Sequence, residues 1–235
     1  MIAKTRILIV RYDNRISQSE ISYFRGAVIA SMQGTANGLY HNHSTDSVVY
    51  RYPKIQYKRI NQCAAIVGIN EGADAIGQFL SCGISCLSIG ERKENFTIKG
   101  LQAEQYIVKE WDSSFEYHLR KWLPLNTENY KNYITIESLS EKVAFLERIL
   151  IGNILSFAKG IDVTLAPNII CQITSMDTPR LQKYKGVKMM MFDVIFKTNV
   201  LIPDYIGIGK GVSLGFGIIK RISKDNYTEK EGDVL

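Results

Sequence analysis

His41 and His43 stand two residues apart in Leu39-Tyr40-His41-Asn42-His43, and with His118 they are the three histidines of the chain. In an extended segment, side chains two apart point to the same side, so two imidazoles can reach one small site. Both titrate near neutral pH, and one can be neutral while the other carries a proton. A base and an acid held together are what RNA cleavage by internal transesterification requires. One takes the proton of the 2′-hydroxyl and the other protonates the leaving 5′-oxygen. That reaction needs no metal. It needs positive charge from Lys or Arg beside the in-flight phosphorane.

Downstream the chain reads Tyr50-Arg51-Tyr52-Pro53-Lys54-Ile55-Gln56-Tyr57-Lys58-Arg59. Tyr50, Tyr52, Lys54, Gln56 and Lys58 share parity, so a strand here combines rings and cations on one face, the kind that stacks bases and holds phosphates. Pro53 argues for an edge strand or a bulge. The contiguous His-Asn-His is not the signature of the nucleases named for those letters, whose residues are scattered over a metal-binding fold, and no acidic metal ligands accompany it.

The second chemical feature is Gly207-Ile208-Gly209-Lys210-Gly211-Val212-Ser213-Leu214-Gly215-Phe216-Gly217, with Lys220 and Arg221 close behind. Glycine allows close backbone approach and positive φ, and consecutive amides can converge on an anion. The run fails the Walker A spacing, since Gly209-Lys210 is followed by Gly211 and Asp204 stands where the first glycine should be. It also fails the dinucleotide fingerprint, because Gly211 comes one residue early and Ile218–Ile222 reads as a strand, not a helix. The run suits a phosphate or nucleic-acid backbone, or a hairpin without a ligand.

The chain that must position these groups has 235 residues, 46% of them hydrophobic, with 29 Lys+Arg against 23 Asp+Glu and a net charge of +6. That suits one large domain or two small ones with a real core, and it is compatible with a polyanionic partner. Cysteines stand at 63, 82, 86 and 171; Cys82 and Cys86 lack the neighbouring ligands of a zinc site and read as buried thiols in a reducing compartment. Ile7-Leu8-Ile9-Val10, flanked by Arg6 and Arg11, reads as a strand and not a signal peptide. No stretch approaches transmembrane length, so the expected location is cytoplasmic.

Strands are expected over 5–12, over 46–58, over 63–69, near 84–89 and over 103–109. Ser17-x-x-Glu20 opens a helix through Ile21, Phe24, Val28 and Met32, and a second helix covers 71–82 with Gly83 as its stop. This order is the ferredoxin-like split βαβ. Residues 112–130 are polar and read as the linker, holding His118. The domains are accordingly placed at 1–118 and 119–235. Beyond the linker a short strand is expected over 133–137. Then follows a helix opened by Ser138-x-x-Glu141 and ended by Gly160, with strands over 168–175 and 187–198, the glycine run and a last strand. No second helix is legible in this half. The fold class is α+β: two tandem ferredoxin-like (RRM-like) domains with a C-terminal glycine-rich loop.

The histidine pair, the Tyr50–Lys58 run and Val67-Gly68-Ile69-x-Glu71-Gly72 together resemble the CRISPR-associated endoribonucleases that cut repeat transcripts into guide RNAs. These are the sixth Cas family of the RAMP superfamily, and the likeness is to the b-type subgroup. The Gly207–Gly217 stretch is similar to that superfamily's glycine-rich loop. The resemblance implies metal-independent cleavage without a cofactor, leaving a 5′-hydroxyl and a cyclic phosphate, with RNA lying across the cleft between the domains. It implies His41 and His43 as the catalytic pair, His43 the more essential, with Tyr50 assisting. It further implies RNA contacts from Tyr52, Lys54 and Lys58 and from Gly207, Gly209, Lys210, Gly211, Gly215 and Gly217. Relatives with a tyrosine-histidine-lysine triad have no clear counterpart of the lysine here, Lys54 and Lys58 being candidates. The partners implied are a CRISPR repeat RNA, single-stranded or weakly hairpinned, with a homodimer or an effector complex as the assemblies it admits and no membrane. Two other classes compete: a non-catalytic RNA-binding RAMP subunit, separated by gel shift without cutting, and a nucleotide-dependent enzyme, separated by ATP or NAD binding.

Overall fold

A computed structural model describes residues 4–32 and 52–223. His41, His43 and Tyr50 lie outside the described residues. The first half forms β1 (Thr5–Arg15), α1 (Ile21–Ser31), β2 (Ile55–Ile60), β3 (Cys63–Ile69), α2 (Glu71–Ser81), a small hairpin of β4 (Cys86–Ile89) and β5 (Arg92–Asn95), and β6 (Ile98–Tyr106). Its sheet runs β2-β3-β1-β6 with every pairing antiparallel. That is the ferredoxin-like order, in which each helix crosses between strands that do not touch. The sequence anticipates the element order of this half but misses β5 and the early start of β6, and β2 begins only at Ile55. Ser17 does not cap α1, which starts after Glu20 with no side-chain cap; Glu20 instead accepts the Ser17 N–H.

The second half departs further. Residues expected as a linker form β7 (Glu110–Trp122), an inner strand of the second sheet. Its N-terminal stretch Asp112–Ser114 is exposed and reads as linker, while Tyr117, Leu119 and Trp122 are buried. Pairing with its neighbours, not local composition, makes it a strand. The boundary drawn at 118/119 falls inside β7, and His118 is a strand residue. The strand expected over 133–137 is also absent. Most of it belongs to α3 (Thr127–Thr135), which Asn126 caps by accepting the Asn129 N–H at 2.7 Å and which Tyr133 anchors in the core.

Then follow α4 (Leu139–Gly160), β8 (Cys171–Met176), β9 (Arg180–Tyr184), β10 (Val187–Val200) and β11 (Ile218–Arg221). Ser138 Oγ accepts from the Glu141 N–H, as its spacing predicts. The second sheet runs β11-β7-β10-β8, the ferredoxin-like order again, with β9 folded onto the start of β10. Residues 201–217 carry no helix between β10 and β11. The glycine run fills that place.

Two cores result. Val10, Tyr12, Phe24, Ile66, Ile76 and Phe79 pack between the first sheet and its helices. The sheet's other face turns Ile7, Ile9, Val67 and Ile69 into a second core, shared with Leu150, Ile154 and Phe157 of α4 and Phe192, Val194 and Phe196 of β10. The alternation along β1 and β3 therefore buries both faces, one inside the first unit and one between the units. Among the described residues no helix is long and apolar enough to cross a membrane. Cys82 and Cys86 are exposed, contrary to the buried thiols expected, because Cys82 caps the end of α2 at the surface and Cys86 opens β4 on its outward side; all four cysteines are free.

Candidate nucleic-acid interface at the seam between the two units

Residues 33–51, which carry the histidine pair, join the end of α1 to Tyr52, and Tyr52 is fixed. Its hydroxyl donates to the Gly207 carbonyl at 2.5 Å and accepts from Gln56 Nε2 at 2.8 Å. Gln56 Oε1 accepts the Gly207 N–H at 2.8 Å, so both backbone polar groups of Gly207 are met from β2 and the residues just before it. The Tyr52 ring packs edge-on against Phe157, centroids 5.3 Å apart. It lies over Gly160, where a Cβ would collide with Tyr52 Cβ. That is the reason for a glycine at the end of α4. Burial pushes the Tyr52 phenol above its ordinary pKa, a larger effect than the Gln56 donor working against it.

The face expected to hold RNA is real in parity and different in surroundings. Gln56 and Lys58 do share one side of β2, but that side turns into the second unit, and both are fully buried. Lys58 Nζ donates to the Val212 carbonyl at 3.0 Å. Burial pushes the ammonium down to about 7. Lys54 Nζ pairs with Glu71 at 2.6 Å and stands 3.7 Å from Asp162. Tyr52, Lys54 and Lys58 are thus engaged within the protein rather than laid out on an open face.

The glycine run is the other wall. β2 is an edge strand of its sheet, and an uncovered edge is a hazard. Here residues 212–214 lie along that edge: the Tyr57 N–H donates to the Ser213 carbonyl at 3.2 Å, and Tyr57 and Leu214 form a parallel bridge. Close packing demands the glycines. A Cβ at Gly207 would stand 2.7 Å from Lys58 Nζ, and one at Gly217, where φ is +62°, would collide with the Ile208 carbonyl. Gly209, Gly211 and Gly215 also take positive φ. Lys210 is exposed at the outside of the loop. The Gly68 and Gly72 of the third motif serve the same need, α2 pressing on β3 at one and the Lys54 carbonyl on the other.

Gln56, which parity sets on the same face as Lys58, and a second glutamine, Gln18, which no spacing signal marks, complete the seam. Gln18 donates to the Leu214 carbonyl at 3.3 Å and accepts from Lys121 Nζ at 2.5 Å, tying the start of α1 to both the glycine loop and β7. A lone polar residue at a position that only folding buries leaves no trace in sequence.

Residues 1–107 match the family model for the Cas6b N-terminal domain, and residues 109–222 match that for the Cas6b C-terminal domain. The chain belongs to the Cas6b family. The two Cas6b regions meet where the chain passes from β6 to β7, in agreement with the sheets. A crystal structure of Cas6b is similar over 94% of this chain and 100% of its own, with a TM-score of 0.84 and 26% identity. A second, of the CRISPR RNA processing endoribonuclease Cas6b, covers the same shares with a TM-score of 0.71 and 24% identity. A RAMP protein binding different RNA substrates shares the fold at a TM-score of 0.52 and 12% identity. In sequence, the uncharacterized protein MJ0978 of Methanocaldococcus jannaschii is 38% identical over 103 residues, 44% of this chain and 69% of its own.

Proposed function

We infer that this Cas6b cleaves CRISPR repeat transcripts into guide RNAs by attack of a 2′-hydroxyl on the adjacent phosphate, without a metal. His41 and His43 divide the roles of base and acid, and Tyr50 assists. The base takes the 2′-hydroxyl proton, the 2′-oxygen bonds to phosphorus, and the P–O5′ bond breaks as the acid protonates the 5′-oxygen. The products are a 2′,3′-cyclic phosphate and a 5′-hydroxyl.

The observation that carries this reading is the anchor at Tyr52. The residue that follows the histidine segment almost at once is hydrogen-bonded to the first glycine of the loop, across the seam between the units. That anchor supports the reading because it ties the chain, nine residues after His43, to a glycine loop of the kind that suits a phosphate backbone. Lys210, exposed on that loop, is a cation available for the backbone.

The test is a repeat RNA incubated with the protein in EDTA. Cutting at one site is expected, with a cyclic phosphate on the upstream product, and a 2′-deoxy nucleotide at that site abolishes it. His43→Ala lowers the single-turnover rate by about 10²- to 10⁴-fold. RNA left intact at excess enzyme, or a His41→Ala, His43→Ala double variant that cuts at the normal rate, overturns the assignment. A gel shift without cutting identifies an RNA-binding subunit instead.

A further inference from the structure

Four cations from both units converge at the end of β2 away from Tyr52. Arg59, one residue from the end of β2, donates Nε to the Ile16 carbonyl at 2.7 Å. Arg120 and Lys121 come from β7, and Lys121 Nζ reaches Gln18 on the same loop as Ile16. Arg180 opens β9. Asp193 of β10 fixes the group: it accepts the Lys121 N–H at 2.5 Å and pairs with Arg180 at 2.7 Å. Lys121 is held with φ +53°, an uncommon conformation for a side chain of that size.

Among the described residues, the cations around Lys121 outnumber the carboxylates. Lys121 is pushed below its ordinary pKa, first by burial and then by Arg59, with Arg120 and Arg180 adding to it; Asp193 is the carboxylate that opposes. Among the described residues no carboxylate lies within ion-pair distance of the Arg59 or Lys121 side chain. Like charges gathered against their own repulsion leave a positive potential that an anion relieves. Guanidinium groups offer planar forks that match phosphate oxygens.

We propose that Arg59, Arg120, Lys121 and Arg180 form a second phosphate site that grips the RNA backbone away from the scissile bond. It rests on the reading of the chain as an RNA-processing protein. β2 separates it from the Tyr52 anchor by roughly 20 Å at the rise of a strand. One RNA strand held at both ends of β2 is fixed in register as well as bound. The site is built from both units, so it exists only when the seam is closed.

The experiment measures binding of the full chain to a fluorescently labelled repeat RNA, made uncleavable by a 2′-deoxy nucleotide at the cut site, over a range of KCl concentrations. For an Arg120→Gln, Arg180→Gln double variant, Kd weakens about tenfold at low salt. The slope of log K against log salt becomes shallower by about 0.7 for each phosphate that is no longer neutralised. Arg180→Lys keeps part of the affinity. A double variant that melts like the parent and binds with the parent's Kd and slope overturns this site alone. Should the double variant melt early, Arg120→Gln at its exposed position is read by the same two outcomes. A parent chain that binds no RNA at any salt overturns both this site and the reading beneath it.

Discussion

Lys58 is the most costly residue in the seam. An ammonium with no exposed surface and a carbonyl as its acceptor has lost most of its hydration, which is why its pKa falls to about 7. In the unfolded chain the same group holds its proton up to the ordinary lysine range. Between about pH 7 and that range the unfolded state therefore binds more protons, and stability rises with pH. Below about pH 7 the full cost of burying the charge is present. Lys58→Met removes this dependence. Urea midpoints of parent and variant at neutral and alkaline pH are expected to show the parent gaining stability over that window relative to the variant; parallel curves would mean that Lys58 is not desolvated in solution. At this scale the sequence was partly legible. Parity placed Gln56 and Lys58 on one face, but nothing in Gln56-Tyr57-Lys58 says whether that face meets water or another sheet.

The glycine run, as an element, replaces a helix. A helix between β10 and β11 would bury an apolar stripe on the sheet; this segment instead lays backbone along the edge of β2 and meets it with side chains from the other unit. Its glycines answer to packing as much as to any ligand. Gly217 makes the point, with φ of +62° and a carbonyl where Cβ would stand. Gly217→Ala is expected to cost about 3 kcal/mol, from the strained backbone and the collision together, read as a fall in the urea midpoint at unchanged slope. A variant as stable as the parent would show that the loop has room to shift around position 217. The spacing of the run excludes the two phosphate loops, and that part was legible. The role of edge cover was not, because it depends on a strand roughly 150 residues earlier in the chain.

For the whole molecule, the shared core decides cooperativity. Ile7, Ile9, Val67 and Ile69 of the first sheet are buried only because α4 and the second sheet lie against them. Separating the units would expose that apolar face to water, at roughly 25 cal/mol for each Å² uncovered. The two units should then unfold in one transition, with equal calorimetric and van't Hoff enthalpies by scanning calorimetry. Two resolved transitions would show that the seam is weaker than its packing requires. Such coupling also explains why the boundary between units was hard to read: the passage from β6 to β7 carries no flexible linker, and the polar stretch that looked like one is the exposed end of β7.

Local chemistry was enough to determine the ferredoxin-like order of the first half, the N-cap of α4, the absence of a helix after β10 and the residues that resemble a repeat-RNA nuclease. These rest on periodicity, capping and glycine spacing, all of which act over a few residues. Tertiary structure alone decided that β7 is a strand, that Tyr52 and Lys58 clamp the glycine loop, and that Arg59, Arg120, Lys121 and Arg180 meet. Each of those depends on which distant surface a face is pressed against, and burial and hydrogen bonding between segments far apart in the chain have no local signature.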